Sequence, residues 1–421
     1  MDPAVYERLD STADSPAELF EHFEERTVGG HTHHVLTDAR HGVERGTVVV
    51  EGADADAGGE AAGAADARPD AGDHAIVRGY PSIPRVLVLD PGLSAVFDGR
   101  VAVEEKLDGF NVRVADVGEP LAFTRSGYVC PYTTGRARDR LDLAAFFADH
   151  PEKLLCAELV GPETPYTQHD YEGVDSHAFR VFDVRDRASG APLPVADRRD
   201  LCEAYGFPQP RAFGWYDLGD DASDTGPPDG GSADETATGG TSADGTPDAV
   251  VEDVRDTIES LDAAGREGVV FKSADARTMA KYTTECQHHD DLAHAFALPF
   301  DHGRDFLFSR VMRDAFQAAE FDEDDDRRRE RAHDLGESVL LPMVEAIRDV
   351  EAGEPVGRRH TVRGDAADIE ALLAHLRDQS VTVDVVRDER ADGQRVVEFL
   401  KRSESTRDRI EYFLDGGTYD Q

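Results

Sequence analysis

Apolar and polar positions alternate along this chain with a period that changes from block to block. Residues 15–28, SPAELFEHFEERTV, carry apolar side chains at helical spacing behind an Asp/Ser start and predict a capped amphipathic helix. VERGTVVVEG, at 43–52, predicts a strand. Further on, PRVLVLD, RVAVEEKL, NVRVADV, KLLCAELVG and HAFRVFDVRD are short β-rich runs, and RARDRLDLAAFFADH and VADRRDLCEAYG have helical period. DAVVEDVRDTIESLDAAG predicts another helix and EGVVFKS a strand. From Asp290 the pattern turns helical, through DDLAHAFALPFDHGRDFLFSRVMRDAFQAAEF and AHDLGESVLLPMVEAIRDVEAG, and residues 353–421 read strand, helix, strand, strand, helix.

Two stretches have almost nothing to bury. Residues 51–75 and 219–247 are rich in Ala, Gly, Asp, Ser and Thr and read as acidic, linker-like inserts. The expected architecture is multi-domain α+β. An N-terminal module (1–78) holds the first insert, and a mixed, mostly antiparallel domain (79–285) holds the second. A helical segment (286–352) and a small α/β domain (353–421) follow. At 421 residues the chain is long enough for several such units.

Charge changes the picture. The formal net charge is −42, from 87 acids against 45 bases, and only five of those bases are lysine. So acidic a surface repels itself in dilute buffer and is tolerable where salt shortens the screening length, which points to a hypersaline cytoplasm and a halophilic archaeon. Acidity ordinarily excludes a nucleic-acid partner, because phosphate binding needs a basic face. In an acidic proteome net charge reports the solvent, so only a local basic cluster reports the partner. Cys130, Cys156, Cys202 and Cys286 form no CxxC pair and read as reduced thiols. No apolar run is long enough to span a bilayer, and the acidic start is unlike a signal peptide, so the expected location is cytoplasmic.

Three of the five lysines sit in apolar-flanked motifs: Lys106 in EEKLDGFNVR, Lys272 in EGVVFK and Lys281 in MAKY. Lys153 and Lys401 read as ordinary solvated residues. An amine is a nucleophile only after losing its proton, and an unperturbed lysine pKa of about 10.4 forbids that at neutral pH. Burial or neighbouring cations remove the proton, and arginine cannot substitute for lysine in this role.

KxDG at Lys106, EGxVxK ending at Lys272, and a motif ending at Lys281 resemble, in this order, the covalent nucleotidyltransferases: DNA ligases, RNA ligases and capping enzymes. The asparagine five residues after Lys106 is typical of RNA ligases. HGVERGTVVVEG, RGYPSIPRVLVLDPGL and PFDHGRDFLFSRVMRDAFQ further resemble the archaeal ATP-dependent RNA ligase family over most of the chain. The resemblance implies that 79–285 is an adenylyltransferase domain of ATP-grasp-like antiparallel sheets and that 286–352 is a dimerisation segment. It implies ATP and Mg²⁺ or Mn²⁺ as cofactors. The implied partners are RNA with 5′-phosphate and 3′-hydroxyl ends, joined into circles, and a second copy of the chain.

Residue by residue, the resemblance makes Lys106 the nucleophile toward ATP. Glu105, Asp108, Gly109, Asn111 and Arg113 belong to the nucleotide-binding motif around it, Arg125 holds phosphate, Glu158 contacts the ribose and Phe182 stacks on adenine. Lys272 and Lys281 face the α-phosphate, and Glu267 binds the metal. Where many relatives carry Lys-x-Lys before the last motif position, this chain has Met279, with Arg277 as a candidate replacement.

Other features have plainer readings. The histidines of HTHH (31–34) and QHHDDLAH (287–294) lack metal-ligand spacing and read as solvated helix starts. FDEDDDRRRERAHD reads as a solvated face, and Phe306, Leu307 and Phe308 as helix-packing residues. The alternatives to an RNA ligase are a DNA ligase, a capping-type guanylyltransferase or a catalytically idle RNA-binding relative. A DNA ligase would carry an oligonucleotide-binding barrel after Lys281, where this chain turns helical.

Overall fold

A computed structural model describes residues 3–28, 31–51, 74–165, 169–218, 247–378 and 381–418. The acidic inserts fall almost wholly outside these described residues. The first helices are α1 (Pro3–Arg8) and α2 (Pro16–Phe20), followed by β1 (Phe23–Val28), β2 (His31–Leu36), β3 (Val48–Glu51) and β4 (His74–Val77), which pair in that order as an antiparallel sheet. The expected helix over 15–28 is therefore only five residues long. Ser15 caps it by accepting from the Glu18 amide, but Phe23–Val28 pairs with β2. A strand partner distant in sequence outweighs a weak local helical preference.

The next elements are α3 (Gly92–Val96), β5 (Arg100–Lys106), β6 (Phe110–Asp116), β7 (Pro120–Thr124), α4 (Pro131–Arg140), α5 (Leu143–Asp149), β8 (Lys153–Val160) and β9 (Ala178–Asp186). After them come α6 (Val195–Ala204), β10 (Ala212–Asp217), α7 (Pro247–Ala263), β11 (Gly268–Ser273) and β12 (Met279–Thr283). They build two antiparallel sheets, ordered β10-β5-β11-β12 and β7-β6-β8-β9. The first packs its outer face on α7 through Val101, Val103, Val254, Ile258 and Phe271, and the second packs on α4, α5 and α6 through Val112, Phe146, Leu155 and Phe179. PRVLVLD is not a strand: only Arg85 bridges to β12, while Leu89 is buried against the first sheet. The single helix expected over 136–150 is two, because Asp142 interrupts it and caps α5 at the Ala145 amide.

The helical region consists of α8 (Glu285–Ala297), α9 (Arg304–Glu320) and α10 (Asp325–Glu351). The last residues form β13 (Gly357–Gly364), α11 (Ala366–Asp378), β14 (Val383–Ala391), β15 (Gln394–Arg402) and α12 (Glu404–Leu414), with sheet order β13-β15-β14. These parts share cores with the centre of the chain. Val362 and Phe399 pack on Cys130 and Tyr132, and Val48 and Val77 of the N-terminal sheet pack on Phe123 and Cys156.

Several plain readings are corrected. HTHH lies on β2, with His33 fully buried, and His288 is buried on α8. Arg331, in the acid-arginine run, is buried as well. It pairs with Asp314 at 2.7 Å, Glu285 at 2.9 Å and Glu323, joining α8, α9 and α10. Its guanidinium occupies the carboxylate cluster of Glu285, His289 and Asp314, which would otherwise suit a cation. Phe308 does not pack but is 64% exposed. Lys401 is half-buried, and burial and Arg358 lower its pKa.

Candidate active site

The two central sheets face each other across a cleft of roughly 720 Å³, counting its mouth. Strand alternation decides which side chains reach it. Val101 and Val103 of β5 point into the core, so Ala102, Glu104 and Lys106 lie on the other face, where Ala102 packs on Val195 and Ala276 while Glu104 and Lys106 line the cleft. Register carries this face across the sheet: Lys106 pairs with Gly268, Ala102 with Lys272, and Val270 with Lys281. The three motif lysines, far apart in sequence, thus share one surface. On the opposing sheet Asn111 pairs with Glu158, and both line the cleft with Arg125 and Phe182.

Lys106 forms an ion pair with Glu267, the residue just before β11. Burial raises the Glu267 carboxyl pKa despite that lysine. Burial also pushes Glu158 up to about 8, and the charges of Glu267 and Asp108 add to the rise. Buried carboxylates in this arrangement suit a hard divalent cation, whose charge would relieve the crowding. Burial, together with Lys106, Arg85 and Arg125, brings Lys281 down to about 8. The cleft therefore holds carboxylates and amines side by side.

Lys272 is held in place. Its Nζ lies 2.9 Å from Glu104 Oε2, donates to the Phe182 carbonyl at 2.6 Å and sits over the Phe182 ring at 5.8 Å. Glu104 also pairs with Arg198 and, at 3.0 Å, with Arg199. Burial alone would raise the Glu104 carboxyl, but Lys272 and Arg198 outweigh it and bring it down to about 2. Sequence reading missed Glu104, although its place two residues before Lys106 in a strand puts both on one face.

The motif around Lys106 divides. Asp108 bonds His169 at 2.7 Å, and its backbone exchanges hydrogen bonds with the Tyr171 hydroxyl. Gly109 is required by a close approach, since a Cβ there would lie 2.6 Å from the Leu159 carbonyl oxygen. Glu105 borders the cleft with its carboxylate 3.8 Å from both Arg211 and Arg266. Arg113 is not in the cleft. It shares a face with Asn111 but lies farther along β6, fully buried, donating to the carbonyls of Arg78, Gly46 and Thr124. Its expected nucleotide contact is replaced by a structural one that fastens the loops flanking the N-terminal sheet to the sheet carrying β6 and β7. Gly46, at φ +83°, lets that loop lie on Arg125, where a Cβ would meet the carbonyl oxygen at 2.2 Å. Arg277 is exposed beside Asp275 and does not replace the missing lysine, while Met279 is buried under Tyr80.

Comparison with known proteins agrees with this geometry. The RNA ligase family model matches residues 99–283, and that of the C-terminal region of the ligase Pab1020 matches 294–417. An uncharacterised protein of Methanocaldococcus jannaschii is 36% identical over 352 residues, which cover 81% of this chain and 82% of that protein. Two solved forms of an archaeal ATP-dependent RNA ligase superpose over 99% of both chains at 34% identity, with TM-scores of 0.81 and 0.80. A candidate ATP-dependent DNA ligase from Aquifex aeolicus shares the fold, with a TM-score of 0.78, 23% identity and coverage of 96% of this chain and 98% of that one.

Proposed function

Since the chain belongs to the archaeal ATP-dependent RNA ligases and is an RNA ligase enzyme, we propose that it seals RNA 5′-phosphate and 3′-hydroxyl ends, circularising RNA, through a lysyl-AMP intermediate. The observation that carries this reading is the convergence of Lys106, Lys281 and Glu267 at one end of the cleft, with Glu158 and Phe182 in its wall.

The Lys106 amine attacks the α-phosphorus of ATP. A P–N bond forms, the bond to the β-phosphate oxygen breaks, and pyrophosphate leaves with the electron pair while the amine's proton passes to water. Lys281 offsets charge on the α-phosphate, Phe182 stacks on adenine, Glu158 accepts from the ribose, and Arg125 and Asn111 orient the phosphate. Asp108 and Gly109 shape the turn that presents the amine. Lys272, held by Glu104, forms the floor. An RNA 5′-phosphate oxygen then breaks the P–N bond and takes AMP, and a 3′-hydroxyl displaces that AMP to close the phosphodiester. Glu267, assisted by Glu158, would hold Mg²⁺, which supplies charge neutralisation on the phosphates when bound.

The enzyme works as a homodimer in a salt-rich cytoplasm. The dimer is supported by apolar side chains exposed on α9 and α10, the salt by the net charge of −42, and the cytoplasmic setting by ATP use and free cysteines.

The test is incubation with α-labelled ATP and Mg²⁺ in molar salt, followed by denaturing electrophoresis. Wild type retains label that 5′-phosphorylated RNA discharges, and Lys106→Ala retains none. A wild type that stays unlabelled, or labels from GTP instead, sinks the reading.

A further inference from the structure

A second group of cations lies beside Lys281, which lines the cleft, and the roles above do not use it. Residues 84–86 run beside β12: the Lys281 amide donates to the Pro84 carbonyl at 3.0 Å, and the Val86 amide to the Lys281 carbonyl at 3.1 Å. This parallel bridge sets Arg85 next to Lys281, and its guanidinium donates to Thr283 Oγ1. Helix α9 brings up Arg310 and Arg313, three residues apart on one face. Arg310 is anchored to Asp291 at 2.8 Å and lies 3.5 Å over the Phe306 ring. Arg313 is half-buried and has no ion pair or hydrogen bond among the described residues.

The three arginines repel one another. Burial, Arg85 and Arg310 bring Arg313 down to about 10, and burial and Arg310 lower Arg85. Only Asp291 and, toward Arg85, Glu267 oppose them. In a chain with 87 acids and 45 bases, such a surplus of half-buried positive charge stands out, and an anion would neutralise it. Its place identifies the anion. From the adenine wall at Phe182, the cations run from Lys272 to Lys281 to Arg85, whose charge reaches Arg310 and Arg313 of α9, the order in which an extended nucleoside triphosphate presents base, α-phosphate and phosphate tail.

Resting on the ligase reading, we propose that Arg85, Arg310 and Arg313 bind the β- and γ-phosphates of ATP and receive the pyrophosphate that leaves when Lys106 is adenylylated. A guanidinium fork meets two phosphate oxygens at once, which suits a leaving group that gains charge as its bond to the α-phosphorus breaks. Helix α9 thereby completes a site that the two central sheets leave open.

The reverse of adenylylation isolates this contact: a pyrophosphate oxygen attacks the α-phosphorus of lysyl-AMP, the P–N bond breaks, and ATP is released as Nζ regains a proton. Pre-adenylated wild type, Arg313→Ala and Arg313→Lys are titrated with pyrophosphate, and each is also given chemically pre-adenylated RNA, whose sealing involves no pyrophosphate. The pyrophosphate needed for half-maximal ATP release rises about tenfold or more in Arg313→Ala and less in Arg313→Lys, while sealing stays close to wild type. Lost sealing with an unchanged pyrophosphate titration overturns the proposal and assigns the cluster to an RNA phosphate. No change in either reaction also overturns it. If Arg313→Ala melts early, Arg313→Lys decides by the same two readouts. A wild type that never takes up label fails the ligase reading instead, so the two failures are distinguishable.

Discussion

Glu104 shows how much can depend on one carboxylate. It is 2% exposed and holds Lys272, Arg198 and Arg199 together beneath the cleft. Removing one member of such a buried group strands the others, so Glu104→Gln is expected to lower stability by about 3–5 kcal/mol. Urea unfolding in high salt measures this, and a change below about 1 kcal/mol rejects the role. The pH sign follows from the depressed pKa. The stability due to Glu104 is full above its ordinary value of 4.5 and is lost as pH falls through about 2. Lys281 titrates in a more accessible range. Its amine is charged below about 8 and loses its proton as pH rises through that value, so the ATP concentration for half-maximal labelling rises between pH 7 and 9. Bound phosphate favours the charged amine and moves the midpoint upward at saturating ATP. In Lys281→Arg this rise is absent, because guanidinium does not titrate there; a rise equal to wild type assigns the titration to another group, Glu158 foremost.

At the scale of elements, α9 and α10 expose Phe308 at 64%, Leu340 at 60% and Leu341 at 51% to solvent. A sizing column in molar salt is expected to show a dimer, and Phe308→Asp with Leu340→Asp a monomer, because a charge on each apolar face resists burial. A wild type that elutes as monomer excludes the dimer. The same helices show what local pattern omits. The helical period of α9 and α10 is plain in the sequence, but Arg331 looks like any residue of a solvated acid-arginine run until folding brings Glu285, Glu323 and Asp314 around it. FEERTV likewise alternates too weakly to announce a strand, and β2 makes it one.

For the whole molecule, −42 charges make folding a compromise with self-repulsion. The screening length is about 10 Å at 0.1 M salt and about 3 Å at 1 M, so the melting temperature is expected to climb steeply over this interval. A melting temperature independent of salt rejects a hypersaline origin for the composition. The positive charge is concentrated rather than absent: Lys106 and Lys281 share one cleft, Arg85 lies beside Lys281, and Arg313 feels the charge of Arg85. Net charge, a sum over the sequence, cannot report this.

By itself the sequence determined the lysine motifs, the strands that carry them and the helices that follow, because these rest on period and residue type within a few positions. It also determined which face of β5 Lys106 occupies, since alternation needs only the strand. The tertiary structure decided the rest. Asn111 and Arg113 share a face of β6, yet one lines the cleft and the other is sealed beneath a loop, because a third sheet covers only part of that face. Glu104 became the anchor of Lys272, and Arg85 the neighbour of Lys281, through register between strands and a bridge across nearly two hundred residues, distances over which a linear pattern carries no information.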